Sequence, residues 1–358
     1  MADPPGGSSP LARPFRTMTA TPRMTLMVKP MLLALAVLPA LALPGAAQDK
    51  PALTVYTYDS FAAEWGPGPA LKTGFEAQCG CTLNFVTADD AISTLRRVQL
   101  EGATTGADVI VGLDTAVAHE ARASGLFVGH GVPAEGLVLP EPWTDPLFLP
   151  FDYGYFAYVY NKARTPNPPT SFEELIALPD DFKAVIQDPR ASTPGLGHVI
   201  WIASAYGERA PEIWAGLAPH ILTMTRGWSE AYGLFLDGEA DMVLSYTTSP
   251  AYHAVSEDDD GYAYAEFSEG HLPQIELAAI LGSSDQQDLA RQFLGYLVSP
   301  EGQAVIPETN WMYPVVALDG LDPAFTAQPQ PAKVLSVDAA EIAANSRAWI
   351  DTALEALR

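Results

Sequence analysis

Short runs of β-branched and aromatic residues alternate with helical segments along this chain, and that alternation restricts the fold more than any other feature. Leu53 to Tyr58 (LTVYTY) reads as a first strand, followed by a loop at Asp59-Ser60 and Gly66-Pro67-Gly68-Pro69 and a helix through Phe75. Thr82 to Val86 is a second strand with Asp89-Asp90 at its carboxyl end. Ala91 to Leu100 is helical, and Ala107 to Val111 (ADVIV) is a buried third strand. A β-loop-α series of this kind specifies a parallel sheet whose ligand-facing loops lie at the carboxyl ends of the strands. Leu147 to Tyr160 (LFLPFDYGYFAYVY) is too long and too aromatic for an ordinary edge strand, and reads as a strand crossing from one domain to the next. Beyond it, Ser171 to Glu174 carries a capping box, Val185 to Gln187 is a strand, and Ser192-Thr193-Pro194 starts a helix through Tyr206. Asp241 to Tyr246 (DMVLSY) is a buried strand that feeds Ser249-Pro250, an N-cap with Pro at the first helical position. Ile275 to Ile280 returns to the first sheet, and two or three helices finish the chain. The expected fold is α/β, with two lobes joined by crossing strands around a hinged cleft. Lobe 1 takes residues 48–150 and 270–300, lobe 2 takes 151–269, and residues 301–358 form C-terminal helices packed on the lobes.

The first 47 residues have a different character. Arg23 and Lys29 precede an apolar run from Met31 to Leu43, broken by Pro39, and Gly45-Ala46-Ala47 places small residues at a cleavage site. This is the pattern of a cleaved signal peptide, and the run is too short to span a bilayer. Met24 and Met27 are alternative starts. Cleavage after Ala47 removes four basic residues (Arg13, Arg16, Arg23, Lys29) and one acidic residue (Asp3), taking the formal charge from −24 to −27. Such a surface repels nucleic acid and anionic lipid and attracts cations. The two cysteines, Cys79 and Cys81, are separated by one glycine. An oxidising compartment favours a disulfide, although an extended i,i+2 pair sits near the upper limit of bridging distance. A soft-metal site built from the two thiols is the alternative.

Catalytic signatures are missing: there is no G-x-S-x-G, no phosphate loop ending in Gly-Lys-Ser/Thr, and no H-E-x-x-H. The six histidines show no metal-ligand spacing. What stands out is a set of aromatic residues where strands end and helices begin. Tyr58 ends the first strand, Tyr246 ends DMVLSY, and Tyr252 lies in the first turn of the next helix. Trp228 follows Gly227 in a turn, and Trp311 lies in the connection from Pro307 to Pro314. Core packing is the ordinary fate of any one such ring. Five at expected sheet tips point to a binding site for a planar or cationic ligand. For most of Tyr153, Tyr155, Phe156 and Tyr158, which alternate on the crossing strand, core packing is the better reading. The helix start at Ser192 and Thr193 offers hydroxyls and free backbone N–H groups to an anion such as phosphate. Asp90 faces either a positive ring or solvent.

Seven segments together resemble the periplasmic thiamine-binding proteins of ABC importers, within a cluster of two-lobed binding proteins that also take up iron and polyamines. They are LTVYTYDSFAAEWGPGP, FDYGYFAYVYNK, QDPRASTPGLG, GWSEAYGLFL, LSYTTSPAYH, FSEGH and NWMYPV, in order along nearly the whole mature chain. The Cys-x-Cys pair fits the same family. The resemblance implies a periplasmic binding protein fold and a ligand site at Tyr58, Asp90, Ala91, Ser192, Thr193, Trp228, Tyr246, Thr247, Thr248, Ser249, Tyr252 and Trp311. Ala91 stands where the family often has Gly. It further implies that rings sandwich thiamine, that Asp90 contacts its polar groups, and that the Ser192-Thr193 loop takes any phosphate. On this reading the chain is a monomeric carrier with no cofactor, catalytic residue or metal of its own, handing cargo to a membrane permease. Within the binding class, a ferric-iron binder would use Tyr246 and Tyr252, but such sites need clustered oxygen ligands rather than indoles. A polyamine binder would want several carboxylates around the aromatics. A secreted thiamine-degrading enzyme would need an activated nucleophile, and Cys79 and Cys81 are the best candidates.

Overall fold

The computed structural model describes residues 50–327 and 330–358; the expected signal peptide at 1–47 lies outside the described residues. The first half-sheet contains β1 (Ala52–Tyr58), β2 (Thr82–Ala88), β3 (Val109–Asp114) and the two-residue β4 (Phe127–Val128). The chain then runs through the long β5 (Phe148–Asn161) into β6 (Ala184–Gln187), β7 (Ile221–Thr225), β8 (Met242–Tyr246) and β9 (Tyr262–Ala265). It returns through β10 (Pro273–Leu281) and the short β11 (Tyr313–Pro314). The main strand order is β2-β1-β3-β10-β5-β8-β6-β7. β1 pairs in parallel with β2 and β3, and β6 pairs in parallel with β7 and β8.

β5 carries the crossing that its length and aromatic content suggest. Phe148 to Tyr155 pair antiparallel with β10, and Phe156 to Tyr160 pair antiparallel with β8. One strand therefore belongs to both half-sheets, and the change of partner falls between Tyr155 and Phe156. Of the alternating Tyr153, Tyr155, Phe156 and Tyr158, all but Tyr153 are buried, as are Phe148 and Phe151. A continuous apolar cluster runs under both half-sheets, from Ile92, Ile110 and Phe148 to Phe172, Trp201 and Leu244.

Several local expectations need correction. Pro67 starts the helix Pro67–Cys79 instead of closing a loop, because its fixed φ suits a first helical position. Asp59-Ser60 begins the four-residue helix Asp59–Ala62. Trp228 is the first residue of the helix Trp228–Leu236 rather than a turn residue. Thr248, not Ser249, precedes the helix Ser249–Ser256. Among the described residues five helices follow β10; the longest, Ala339–Ala356, packs against Thr193–Tyr206, Ala210–Leu217 and Ala118–Ala123. Cys79 and Cys81 are joined in a disulfide, with Cα atoms 5.1 Å apart. Gly80 caps the preceding helix at φ 63°, and this left-handed bend draws together two residues that an extended chain would hold apart.

Candidate functional site

Chain direction brings the carboxyl ends of the parallel strands together. Tyr58 ends β1, Asp90 follows β2, Ser192 and Thr193 follow β6, Trp228 follows β7 and Tyr246 ends β8. The two half-sheets thus present their tips to each other across a cleft. At the cleft edge, Ser93 N donates to the Ala191 carbonyl at 3.1 Å, and Arg226 lies 3.4 Å from Asp89.

Asp90 is the centre of this closure. It precedes the helix Ala91–Glu101, and its Oδ1 accepts from the backbone N–H of Ala91 at 2.6 Å. From the opposite half, Ser192 Oγ donates to Asp90 Oδ2 at 2.7 Å and Thr193 N–H donates to Oδ1 at 3.3 Å. The anion that the helix start at Ser192-Thr193 receives here is thus the protein's own carboxylate. Of the hydroxyl pair only Thr193 lines a cavity. Asp90 is only 5% exposed, and burial raises its pKa to about 6.

Two connected cavities lie between the tips. The inner one, about 50 Å³, is walled by Tyr58, Asp90, Thr193, Trp228, Tyr246 and Ser249, with Glu276, Asn310 and Met312 beside them. That volume has room for little more than water, so a ring-sized ligand requires the walls to part. The outer cavity, about 370 Å³, is an aromatic chamber of Trp65, Trp228, Tyr232, Tyr252 and Trp311, with Leu236, Ser249 and Glu308. Trp65, Trp228, Ser249 and Trp311 line both cavities.

Each ring is fixed by neighbours. Trp228 stacks on Tyr232 at 4.7 Å, and its indole N–H donates to Ser245 Oγ at 2.8 Å. Tyr252 meets Trp311 edge-on at 5.3 Å and donates to Glu257 at 2.9 Å. The other Glu257 oxygen holds His253 Nδ1 at 2.7 Å, and Tyr232 donates to His253 Nε2 at 2.9 Å. Trp311 lies parallel to Phe325 and has φ 55°, a strained value for a bulky residue. Tyr246 stacks on Phe156 at 5.4 Å and donates to Gln274 at 2.8 Å.

Seven of the twelve residues expected from sequence line the inner cavity (Tyr58, Asp90, Thr193, Trp228, Tyr246, Ser249 and Trp311), and Tyr252 joins through the outer one. Ala91, Ser192, Thr247 and Thr248 line neither. Ala91 and Ser192 act through Asp90, and Thr247 N–H bonds the Tyr155 carbonyl at 2.9 Å. Sequence reasoning missed Trp65 and a buried acidic floor. Asp114, Asp152 and Glu276 sit on adjacent strands, with Glu276 in register with both of the others. Burial raises Asp114 to about 7 and Asp152 to about 8, and raises Glu276 well above its ordinary value. Among the described residues none of Asp90, Asp114, Asp152 and Glu276 enters an ion pair. A lone charge amid apolar strand residues, as in IELAAIL, was the signal available for Glu276.

The family model for bacterial extracellular solute-binding proteins matches residues 54–304. The chain belongs to this family. Among solute-binding proteins, it is 51% identical to a thiamine-binding periplasmic protein of Escherichia coli (strain K12) over 301 residues, covering 84% of this chain and 92% of that protein. It is 48% identical to a thiamine-binding periplasmic protein of Brucella suis biovar 1 (strain 1330), covering 88% of this chain and 95% of that one. A solved structure of a periplasmic thiamin binding protein superposes with a TM-score of 0.84 at 50% identity, covering 86% of this chain and 97% of that one. The two-lobed periplasmic binding protein fold expected from sequence is thereby shown.

Proposed function

We propose that this solute-binding protein captures thiamine, with its mono- and diphosphate, in the periplasm and delivers it to the permease of an ABC importer. The observation that carries the reading is a cavity walled by aromatic rings, with Asp90 and Glu276 in its wall, Asp114 and Asp152 buried in register with Glu276, and no cationic partner for any of the four among the described residues. Leaving such charges uncompensated is costly, and a planar cation relieves the cost by stacking and by charge. The thiazolium ring of thiamine supplies both properties. The identities to thiamine-binding proteins support the same cargo. A ferric ion would want oxygen ligands converging on one point, whereas the hydroxyls of Tyr246 and Tyr252 go to Gln274 and Glu257.

On this reading the protein is a monomeric carrier, without a cofactor, that neither alters its cargo nor binds nucleic acid. A thiamine-degrading activity would need a free nucleophile, and Cys79 and Cys81 are bonded to each other. Thiamine should bind one-to-one to the purified mature protein and quench tryptophan fluorescence, and native mass spectrometry should recover it intact. Cleaved pyrimidine and thiazole products would replace the carrier reading with an enzyme.

A further inference from the structure

Asp152 and Glu276 are direct partners on the antiparallel pair β5–β10, and both are buried. Side chains in such a position stand roughly 5 Å apart at Cβ, and like charges there repel. A chain of hydrogen bonds links them. Tyr58 donates its one hydroxyl proton to Glu276 Oε2 at 2.8 Å and accepts from Asn310 Nδ2 at 3.2 Å. Asn310 gives its second amide proton to Asp152 Oδ2 at 2.6 Å. Tyr246 donates to Gln274, whose amide reaches Glu276 Oε1 at 3.4 Å. Both amide protons of Asn310 and the hydroxyl protons of Tyr58 and Tyr246 are thereby used, and Asp152 Oδ1 is left buried with no partner.

The groups facing the pair do not compensate its charge. Asp90 at the head of its helix and Asp114 on β3 add negative charge, and Tyr58 from β1 and Tyr246 from β8 are neutral donors. The charges acting on Glu276 are Asp152, Asp90 and Asp114, all of one sign. Two buried carboxylates in this setting cannot both be ionised without a cation. Glu276 itself lines the inner cavity, and so does Asn310, which holds Asp152.

We infer that Asp152 and Glu276 share one proton when no cation is present, and release it to solvent as a cationic cargo binds over them. The pair is then a cation subsite at the floor of the pocket, and loading is coupled to proton loss. This rests on the thiamine reading above. The balance is simple: a fixed positive charge enters, one O–H bond breaks, and the proton leaves to buffer.

Titration calorimetry with thiamine near pH 7, in phosphate and in Tris, reads proton release as a buffer-dependent heat. The wild type should release protons, and its affinity should rise with pH between about 6 and 8, by up to about tenfold per pH unit for one full proton. Glu276→Gln and Asp152→Asn should each lower the proton count; Asp90 and Asp114 supply the remainder. Equal heats in both buffers for the wild type, or an undiminished count in both variants, would overturn the exchange. Carboxyl ¹³C NMR of the ligand-free wild type tests the pair without any cargo: one proton should persist near pH 7, and full ionisation would overturn the proposal. A retained proton together with no thiamine heat would support the shared proton while overturning the cargo reading.

Discussion

Asp90 takes four roles at once: it precedes a helix, joins the two half-sheets, lines the inner cavity and adds to its negative charge. Its partnership with Ser192 changes what the hydroxyl loop is expected to do. If Ser192 acts by holding Asp90, Ser192→Ala should weaken thiamine and thiamine monophosphate equally, each by about 1.5–3 kcal/mol for a hydrogen bond to a charged group. A loss confined to the monophosphate in calorimetric titrations would restore Ser192 as a phosphate ligand. Trp228→Ala and Tyr252→Ala should each cost about 1–3 kcal/mol of thiamine affinity by removing a ring from the chamber. Unchanged affinity in both would place the pocket elsewhere. The raised carboxyl pKa values also make stability depend on pH. Asp90 stands near 6, Asp114 near 7 and Asp152 near 8, all above the usual carboxylate value of 3.8. Below about pH 6.5 the buried His198, His253 and His271, whose pKa values burial lowers, oppose the effect of the carboxyls, because the unfolded chain protonates them and the folded protein does not. Between about pH 6.5 and 8 the carboxyls dominate, the folded protein binds more protons than the unfolded chain, and stability falls as pH rises. Melting of the ligand-free protein should thus occur at lower temperature at pH 8 than at pH 6.5, and a melting temperature that rises over this interval would contradict the assignment.

At the scale of elements, the helix Thr193–Tyr206 is held close to β5 by Gly197. A Cβ there would come 2.1 Å from the buried ring of Phe156. Gly197→Ala should destabilise the fold by about 1–3 kcal/mol through overpacking, seen as a lower denaturant midpoint. A midpoint equal to wild type would show that the ring can move aside. This helix also shows what was legible in the sequence. Its start was readable from Ser192-Thr193-Pro194, as were the major strands, because β-branched and aromatic runs between turn residues carry their own signal. The rings at strand ends were readable because tips of parallel strands converge. The tie between Ser192 and Asp90 was not, since it joins residues 102 positions apart and depends on how the half-sheets meet. Trp65 and Asn310 sit in segments without periodicity, and β7 and β9 carried too little contrast with their surroundings to be noticed.

For the whole molecule, closure depends on how closely the half-sheets approach. Gly227 lies against Asp89 from the opposite half, where an added Cβ would come 2.5 Å from the Asp89 carbonyl oxygen. Gly227→Ala should hold the cleft apart, weakening thiamine roughly tenfold or more by an overpacking cost of about 1–3 kcal/mol. Melting of the ligand-free protein should change little. Wild-type affinity in this variant would show that closure tolerates a gap at that edge.

The place of β10 has a consequence in time. It lies between β3 and β5, yet it is made more than 100 residues after β5 begins. Until residues 273–281 are available, β3 and β5 each present an open edge and the first half-sheet has no centre. A nascent chain therefore cannot complete the first half-sheet before β10 is made, and any fragment ending before β10 leaves β3 and β5 each with an unpaired border. Late insertion of this keystone strand leaves the first half-sheet, and the part of the cavity wall that Glu276 supplies, unfinished until most of the chain has been made.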